Sequence, residues 1–347
     1  MWEERARRAR RDVVALASSG LGVSDLHAAA IGVMAESVSC DLACWAAIDP
    51  ETLVISTMTS GANRISAEYE PRLAEAEYSG AEPHSFASLV RGRRPLAKLS
   101  EMPDRDRERS IRLNDVWRPL GLDAELRVLF QADGACWGAA GMVRAGHDFT
   151  DRETDYFAAV APALAAATRL AVRSEARNSP ASVAPAIVVV GTHGELRAAT
   201  PAATAWQDRL NEIAPGRFTV MMQVVALGAR SAGTGDFRMR VRDARGQWAV
   251  LQASPLIGGD DDQIAVFIEP ATGDQLLGLL LEAYELTARE RDVCREVIAG
   301  RATADIAERL FISPLTVQDH LKSVFAKVGV RSRGELVAIL RPEGAHE

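Results

Sequence analysis

The sequence predicts an α+β chain of several domains, mixed α/β through its first three-quarters and all-α, with four helices, at its end. Three observations predict it. Apolar runs of strand length, some facing each other across short turns, alternate with helical patterns from about residue 20 to 271. A Pro/Ser/Ala stretch, Asn178-Ser-Pro-Ala-Ser-Val-Ala-Pro185, divides that region. From Leu286 onward, helix-start signatures follow one another with short turns and no strand pattern. The expected layout is an N-terminal helix at 1–19, a first mixed domain at 20–177, a linker at 178–185, a second mixed domain at 186–271 and a helical domain at 280–341.

Taken in order, residues 1–19 place Ala6, Ala9, Val13 and Leu16 near one helical face, and a second helix starts at about Ser24 after the breaker Ser18-Ser-Gly20. Strands are expected at Leu42–Ile48 and Leu53–Thr57 across an Asp49-Pro-Glu51 turn. Tyr69–Leu113 reads as charged and irregular, interrupted by Pro71, Pro83, Pro95 and Pro103. Glu125–Gln131 and Cys136–Arg144 form the next strand pair, joined by Ala132-Asp-Gly134. Thr150-Asp-Arg-Glu153 is a capping box, in which each side chain satisfies a backbone donor of the other's residue. The helix it opens carries Phe157, Val160, Leu164, Ala167 and Ala171 at helical spacing to about Arg177, with Pro162 expected to kink it. Beyond the linker, Ala186–Val190 turns through Gly191-Thr-His-Gly194 into a second strand, and a helix spans about Pro201–Ile213. Phe237–Arg242 and Gln247–Ala253 make a hairpin around Asp243-Ala-Arg-Gly246. Gly258-Gly-Asp-Asp-Asp262 then leads to a last strand, Ile264–Glu269. No internal repeat of fixed period is visible.

At 347 residues, with 48% hydrophobic and 25% charged residues, the chain has the composition of a globular protein. No apolar run approaches the ~20 residues that span a bilayer. The basic N-terminus is broken by Glu3, Glu4 and Asp12 and lacks an apolar core, so a cytoplasmic location is expected. The cysteines Cys40, Cys44, Cys136 and Cys294 are scattered, without the histidines of a zinc set, and read as free thiols. A net charge of −7 argues against a protein that coats nucleic acid over its whole surface. Yet Tyr284–Arg341 carries ten Lys and Arg against eight Asp and Glu, so its net charge is +2 while the remainder carries −9.

In the helical segment, Thr287-Ala-Arg-Glu290 opens the first helix and Gly300 closes it as a left-handed cap. A second helix covers about Thr303–Leu310. Ser313 caps the third, with Pro314 at its first position, where a missing N–H costs nothing. Ser332-Arg-Gly-Glu335 opens the fourth, to about Leu340. In the third helix Val317, Leu321, Val324, Phe325 and Val328 share one face, and Gln318, Asp319, Lys322 and, to the side, Ser323 lie opposite. A buried stripe that anchors a rod and a polar face that can reach base edges are what groove reading requires.

The run Leu286-Thr-Ala-Arg-Glu-Arg291, Ala299-Gly300, Ile306-Ala307, Leu310, Ile312-Ser313, Thr316-Val317, His320-Leu321, Lys327 and Val330 resembles the LuxR/FixJ-type helix-turn-helix. The resemblance covers about 55 residues. It implies that Thr316–Ser323 lies on the recognition helix, that Gln318, Asp319 and Lys322 face DNA with Thr316, Ser323, Arg331 and Arg333 as further contacts, and that Ser332–Leu340 pairs such domains into dimers. Two departures stand out. Ala302 replaces the Ser or Thr that caps the second helix in many members, a loss of about 1 kcal/mol unless Thr303 takes over. Gln318 stands where many carry Lys, and Gln can bond adenine in a bidentate manner while Asp319 can accept from cytosine N4.

Upstream, Glu125–Arg144 with Phe149-Thr-Asp-Arg-Glu153 resembles part of a GAF domain, and about 184–271, with His193-Gly194 and Asp243-Ala-Arg-Gly-Gln-Trp248 at its turns, is similar to a short PAS-type domain. Neither region carries a catalytic set. His84 and His147 read as surface loop histidines, Asp151, Glu153 and Asp155 as helix-start acids, and Asp260-Asp-Asp262 lacks the remaining ligands of a calcium loop. Trp45, Trp117, Trp137, Trp206 and Trp248 read as core. No metal site, cofactor or enzymatic activity is expected. The reading is a sequence-specific regulator of transcription whose GAF-like and PAS-like region senses a small molecule and controls a homodimer on double-stranded DNA. RNA polymerase is a further expected partner, and no membrane is. The alternative is control by protein docking on ligand-free domains; an enclosed cavity with a few convergent polar groups separates the two.

Overall fold

The computed structural model describes residues 2–177, 184–232, 235–258 and 262–341. Linker residues 178–183 and the acids Asp260 and Asp261 lie outside the described residues. The chain begins with helices α1 (Trp2–Ala17) and α2 (Val23–Ala35), then strands β1 (Leu42–Ile48) and β2 (Ile55–Ser60). After helices α3 (Glu70–Tyr78) and α4 (Phe86–Arg91) come β3 (Leu96–Lys98), α5 (Asp104–Arg109), β4 (Ala124–Ala132), β5 (Ala135–Arg144) and the long α6 (Asp151–Arg177). The strands form an antiparallel sheet in the order β2-β1-β5-β4-β3. Alternation along β1 divides its side chains between two cores: Ala43, Trp45 and Ala47 join the helices α1, α2 and α6, while Ala46 and Ile48 face the α4 side with Phe86 and Leu89.

Two expectations for this region need correction. The stretch Tyr69–Leu113 is not irregular: it holds three short helices, an edge strand and the start of a π-helical turn at Arg112–Trp117. Its prolines start helices as well as break them, with Pro71 in the first turn of α3 and Pro103 at the N-cap of α5, where no backbone donor is lost. Likewise α6, 27 residues long, is apolar and long enough to span a bilayer by composition, although no continuous apolar run signals it. Its apolar side is instead buried on β4 and α1, through Phe157, Val160, Leu164 and Ala171, and the helix continues unbroken through Pro162.

The second sheet comprises β6 (Ala186–Val190), β7 (Leu196–Ala199), β8 (Phe237–Arg242), β9 (Trp248–Pro255) and β10 (Ile264–Pro270), in the order β7-β6-β10-β9-β8. Relabelled from its own start, this is the strand order of the first sheet, a repetition of topology with no repeat in sequence. Between β7 and β8 lie α7 (Ala203–Asn211) and α8 (Arg217–Ser231). Helix α8 was not expected: Phe218, Val220, Met221, Met222, Val224 and Val225 are all buried, so it has no single apolar stripe for periodicity to detect.

Ionic clasps tie the two sheets together. Arg240 of β8 donates from Nε and Nη2 to both oxygens of Asp49 at 2.6 and 2.9 Å, and from Nη2 to Glu51 at 2.6 Å. Arg242 of the same strand pairs with Glu175 near the end of α6. A single leucine-rich helix, α9 (Gly273–Ala283), then connects the second sheet to the C-terminal helices α10 (Ala288–Ile298), α11 (Thr303–Leu310), α12 (Pro314–Val328) and α13 (Arg333–Leu340). It packs on α6 and on α13, burying Leu276, Leu279, Leu280 and Leu281.

Candidate nucleic-acid interface

The capping chemistry read from the sequence is largely made. Thr287 Oγ1 accepts from Glu290 N at 3.3 Å and Glu290 Oε2 from Thr287 N at 2.7 Å. Ser313 Oγ accepts from Thr316 N at 3.0 Å, and Gly329 (φ +78°) closes α12 in the left-handed region. At Ser332 only half the box forms, since Glu335 reaches past it to accept from Arg331 N at 2.8 Å. Ala302 leaves the start of α11 with one partner, Asp305 Oδ2, accepting from Ala302 N at 3.3 Å. Thr303 does not take over, because its hydroxyl accepts from Arg333 Nη1 at 3.3 Å.

Helix α12 is held on one side by Val317, Leu321, Val324 and Val328, packed against Val293 and Val297 of α10 and Ile306 and Ala307 of α11. Phe325, expected in the same stripe, is half-buried at its edge. On the other side Gln318, Asp319 and Lys322 are exposed and their side chains bond to no other described residue. Glu290 fixes the roll of the helix: it accepts from Ser323 Oγ at 2.6 Å and Lys327 Nζ at 2.7 Å. These hydrogen bonds hold its carboxyl well below the usual range, at about 2, against the opposing effect of burial.

The seven predicted DNA-contact residues therefore fall into two groups. Gln318, Asp319, Lys322 and Arg331 have exposed side chains, and half-buried Thr316 stands at the start of α12, bonded to Ser313. Ser323 is engaged by Glu290, and Arg333 donates to Thr303 and to Arg301 O, closing α13 onto the start of α11. Two apolar residues were missed. Leu315 is 68% exposed and lies three, four and seven positions before Gln318, Asp319 and Lys322, on the same face. Phe311, 94% exposed, occupies the left-handed region (φ 55°) at the turn between α11 and α12. The helical spacing of Leu315 was a usable signal; the exposure of Phe311 had none.

Elsewhere, His84 is not a surface histidine: it is half-buried at a positive φ of 56°, its carbonyl accepts from Arg127, and burial with the nearby arginines lowers its pKa. The five tryptophans read as core are all buried. Burial pushes the thiols of Cys44 up to about 11 and of Cys136 and Cys294 up to about 12, so they stay protonated at neutral pH.

Two helices joined by a tight turn, the second anchored with a free polar face, define a helix-turn-helix. The sequence profile of bacterial regulatory proteins of the LuxR family matches residues 284–340. The spore germination protein GerE of Bacillus subtilis is 39% identical over 62 residues, 18% of this chain and 84% of GerE. The chain belongs to the LuxR family of bacterial regulatory proteins. A helix-turn-helix-type transcriptional regulator of Mycobacterium tuberculosis is 58% identical over 52 residues, and the chain spans 6% of that regulator's length. Among solved structures, Escherichia coli SdiA aligns over 97% of this chain and 98% of its own at 11% identity, with a TM-score of 0.28, which carries no argument about the upstream fold.

Proposed function

We propose that this protein is a DNA-binding transcriptional regulator whose helix α12 enters the major groove. The observation that carries the reading is the anchored rod with Gln318, Asp319 and Lys322 outward and unpartnered. Gln318 and Asp319 are suited to adenine and to cytosine N4, Leu315 to a thymine methyl, and Thr316, Lys322 and Arg331 to phosphates. Ser323 and Arg333, proposed from the family pattern as contacts, serve the reading better as struts that set the roll of α12 and the seat of α13.

The reading extends to a cytoplasmic homodimer that places two recognition helices about one DNA turn, ~34 Å, apart. The region before α9, GAF-like in its first sheet and PAS-like in its second, shifts that spacing when it binds a small molecule. The shared strand order of the two sheets supports the kinship. A largely apolar cavity of about 130 Å³ that a few polar side chains line, between the first sheet and α8, supports ligand control over the alternative of protein docking. The test is affinity for duplex DNA against salt concentration. Lys322→Ala should reduce the slope of log K on log salt by about 1, and Gln318→Lys should change the sequences recovered from a randomised-site selection. A full-length protein with no salt-dependent affinity for any duplex refutes the reading.

A further inference from the structure

A cavity of about 130 Å³ lies between the first sheet and helix α8 of the second. Its walls are largely apolar: Ile55, Met58 and Phe86 come from the first sheet side, Val220 and Met221 from α8. Most of the cations that line it are committed. Arg127 pairs with Glu77 at 2.9 Å, Arg112 with Glu125 at 2.9 Å, and Arg64 donates to Ile213 O at 2.7 Å. Arg217, at the first turn of α8, is 3% exposed; its side chain makes neither an ion pair nor a hydrogen bond among the described residues, and its Nε and Nη2 are buried without an acceptor. Burial of an arginine with its donors unmet is costly and calls for an oxyanion that both charge and fork geometry would satisfy.

We propose that this cavity binds a small organic carboxylate, with the Arg217 fork on the oxyanion, the Tyr78 hydroxyl as a second donor and the apolar body against Ile55, Met58 and Phe86. Tyr78 accepts from Ile55 N at 3.0 Å, which leaves its own proton free to give. A void of about 150 Å³ holds benzene, so the body has the size of one small ring or a short branched chain. The proposal rests on the reading of this region as a sensor and deepens it, because the two walls belong to different sheets. A bound carboxylate would pull α8 toward the first sheet through Arg217. Glu70, half-buried and within electrostatic reach of Arg217, is the internal competitor for the fork.

The test uses the full-length protein and benzoate, with benzamide as the neutral isostere and inorganic phosphate as the oxyanion without a body. Benzoate should raise the melting temperature and bind about 10–100-fold more tightly than benzamide, the range of a charge-assisted hydrogen-bond pair. Arg217→Met should raise the melting temperature of the ligand-free protein, since it removes an unpaired buried charge, and should abolish the preference for benzoate. Glu70→Gln should bind benzoate at least as well as the wild type. Benzoate binding no better than benzamide, phosphate matching benzoate, or an Arg217→Met protein that melts lower and keeps the preference would each overturn the proposal. Duplex affinity measured with and without benzoate separates this site from the wider reading. Arg217-dependent binding that leaves DNA affinity unchanged keeps the site and removes its sensory role.

Discussion

Glu290→Gln tests how the recognition helix is held. The carboxylate joins the start of α10 to Ser323 and Lys327 of α12, and its pKa falls from 4.5 to about 2. A shift of that size corresponds to about 3 kcal/mol. Lys327 is 34% exposed, so solvent screening reduces the worth of the interaction to about 1–2 kcal/mol. Because the folded-state pKa is depressed, this stabilisation is complete above the unfolded value of 4.5 and is lost as the pH falls toward 2. Amide hydrogen exchange read by mass spectrometry on the full chain should show α12 exchanging roughly 5–30-fold faster in the variant at pH 7. In urea, the stability gap between wild type and variant should narrow as the pH drops from 5 to 3. A gap that stays constant over that range, or unchanged exchange in α12, would refute the reasoning.

Other perturbations probe separate parts of the molecule. Asp49→Ala leaves the buried guanidinium of Arg240 with Glu51 as its remaining carboxylate and should cost about 2–3 kcal/mol in urea denaturation, the worth of hydrogen bonds to a charged group; a loss under about 1 kcal/mol would mean the Asp49 half of the clasp is not needed. His27, buried against Trp45 and Phe130 with its pKa lowered to about 3, stays neutral in the fold. The unfolded chain takes up its proton below 6.5, so stability should fall by about 2 kcal/mol from pH 7.5 to pH 5 on this account. His27→Gln should remove that component, and an unaltered pH profile would count against it. Ala302→Ser should supply the missing cap of α11 and add about 1 kcal/mol, seen as a higher urea midpoint; no gain would show that Asp305 already suffices.

Legibility followed the range of the signals. Local chemistry was readable: the Thr287–Glu290 box, Pro314 after Ser313, the turn at Asp243–Gly246 and the face of Gln318, Asp319 and Lys322 all rest on neighbours within a few residues. The start of helix α9 is readable too, since Thr272-Gly-Asp-Gln275 has the spacing of a capping box, of which one half forms, with Gln275 Oε1 accepting from Thr272 N at 2.7 Å. What could not be read were partners distant in sequence. Nothing near Arg240 points to Asp49, 191 positions away, and nothing near Arg217 announces a cavity whose other wall begins at Leu42. Arginines on a strand or at a helix start read as surface until the fold encloses them.

Helix α9 has a practical bearing on how the molecule can be taken apart. The family match begins at residue 284, one position beyond the end of α9. A chimera spliced there would part the DNA reader from the rod whose leucines seat α13 on one side and α6 on the other. Grafts that keep the packing of α13 should therefore be joined near Ala271, so that the incoming helices bring their own axle.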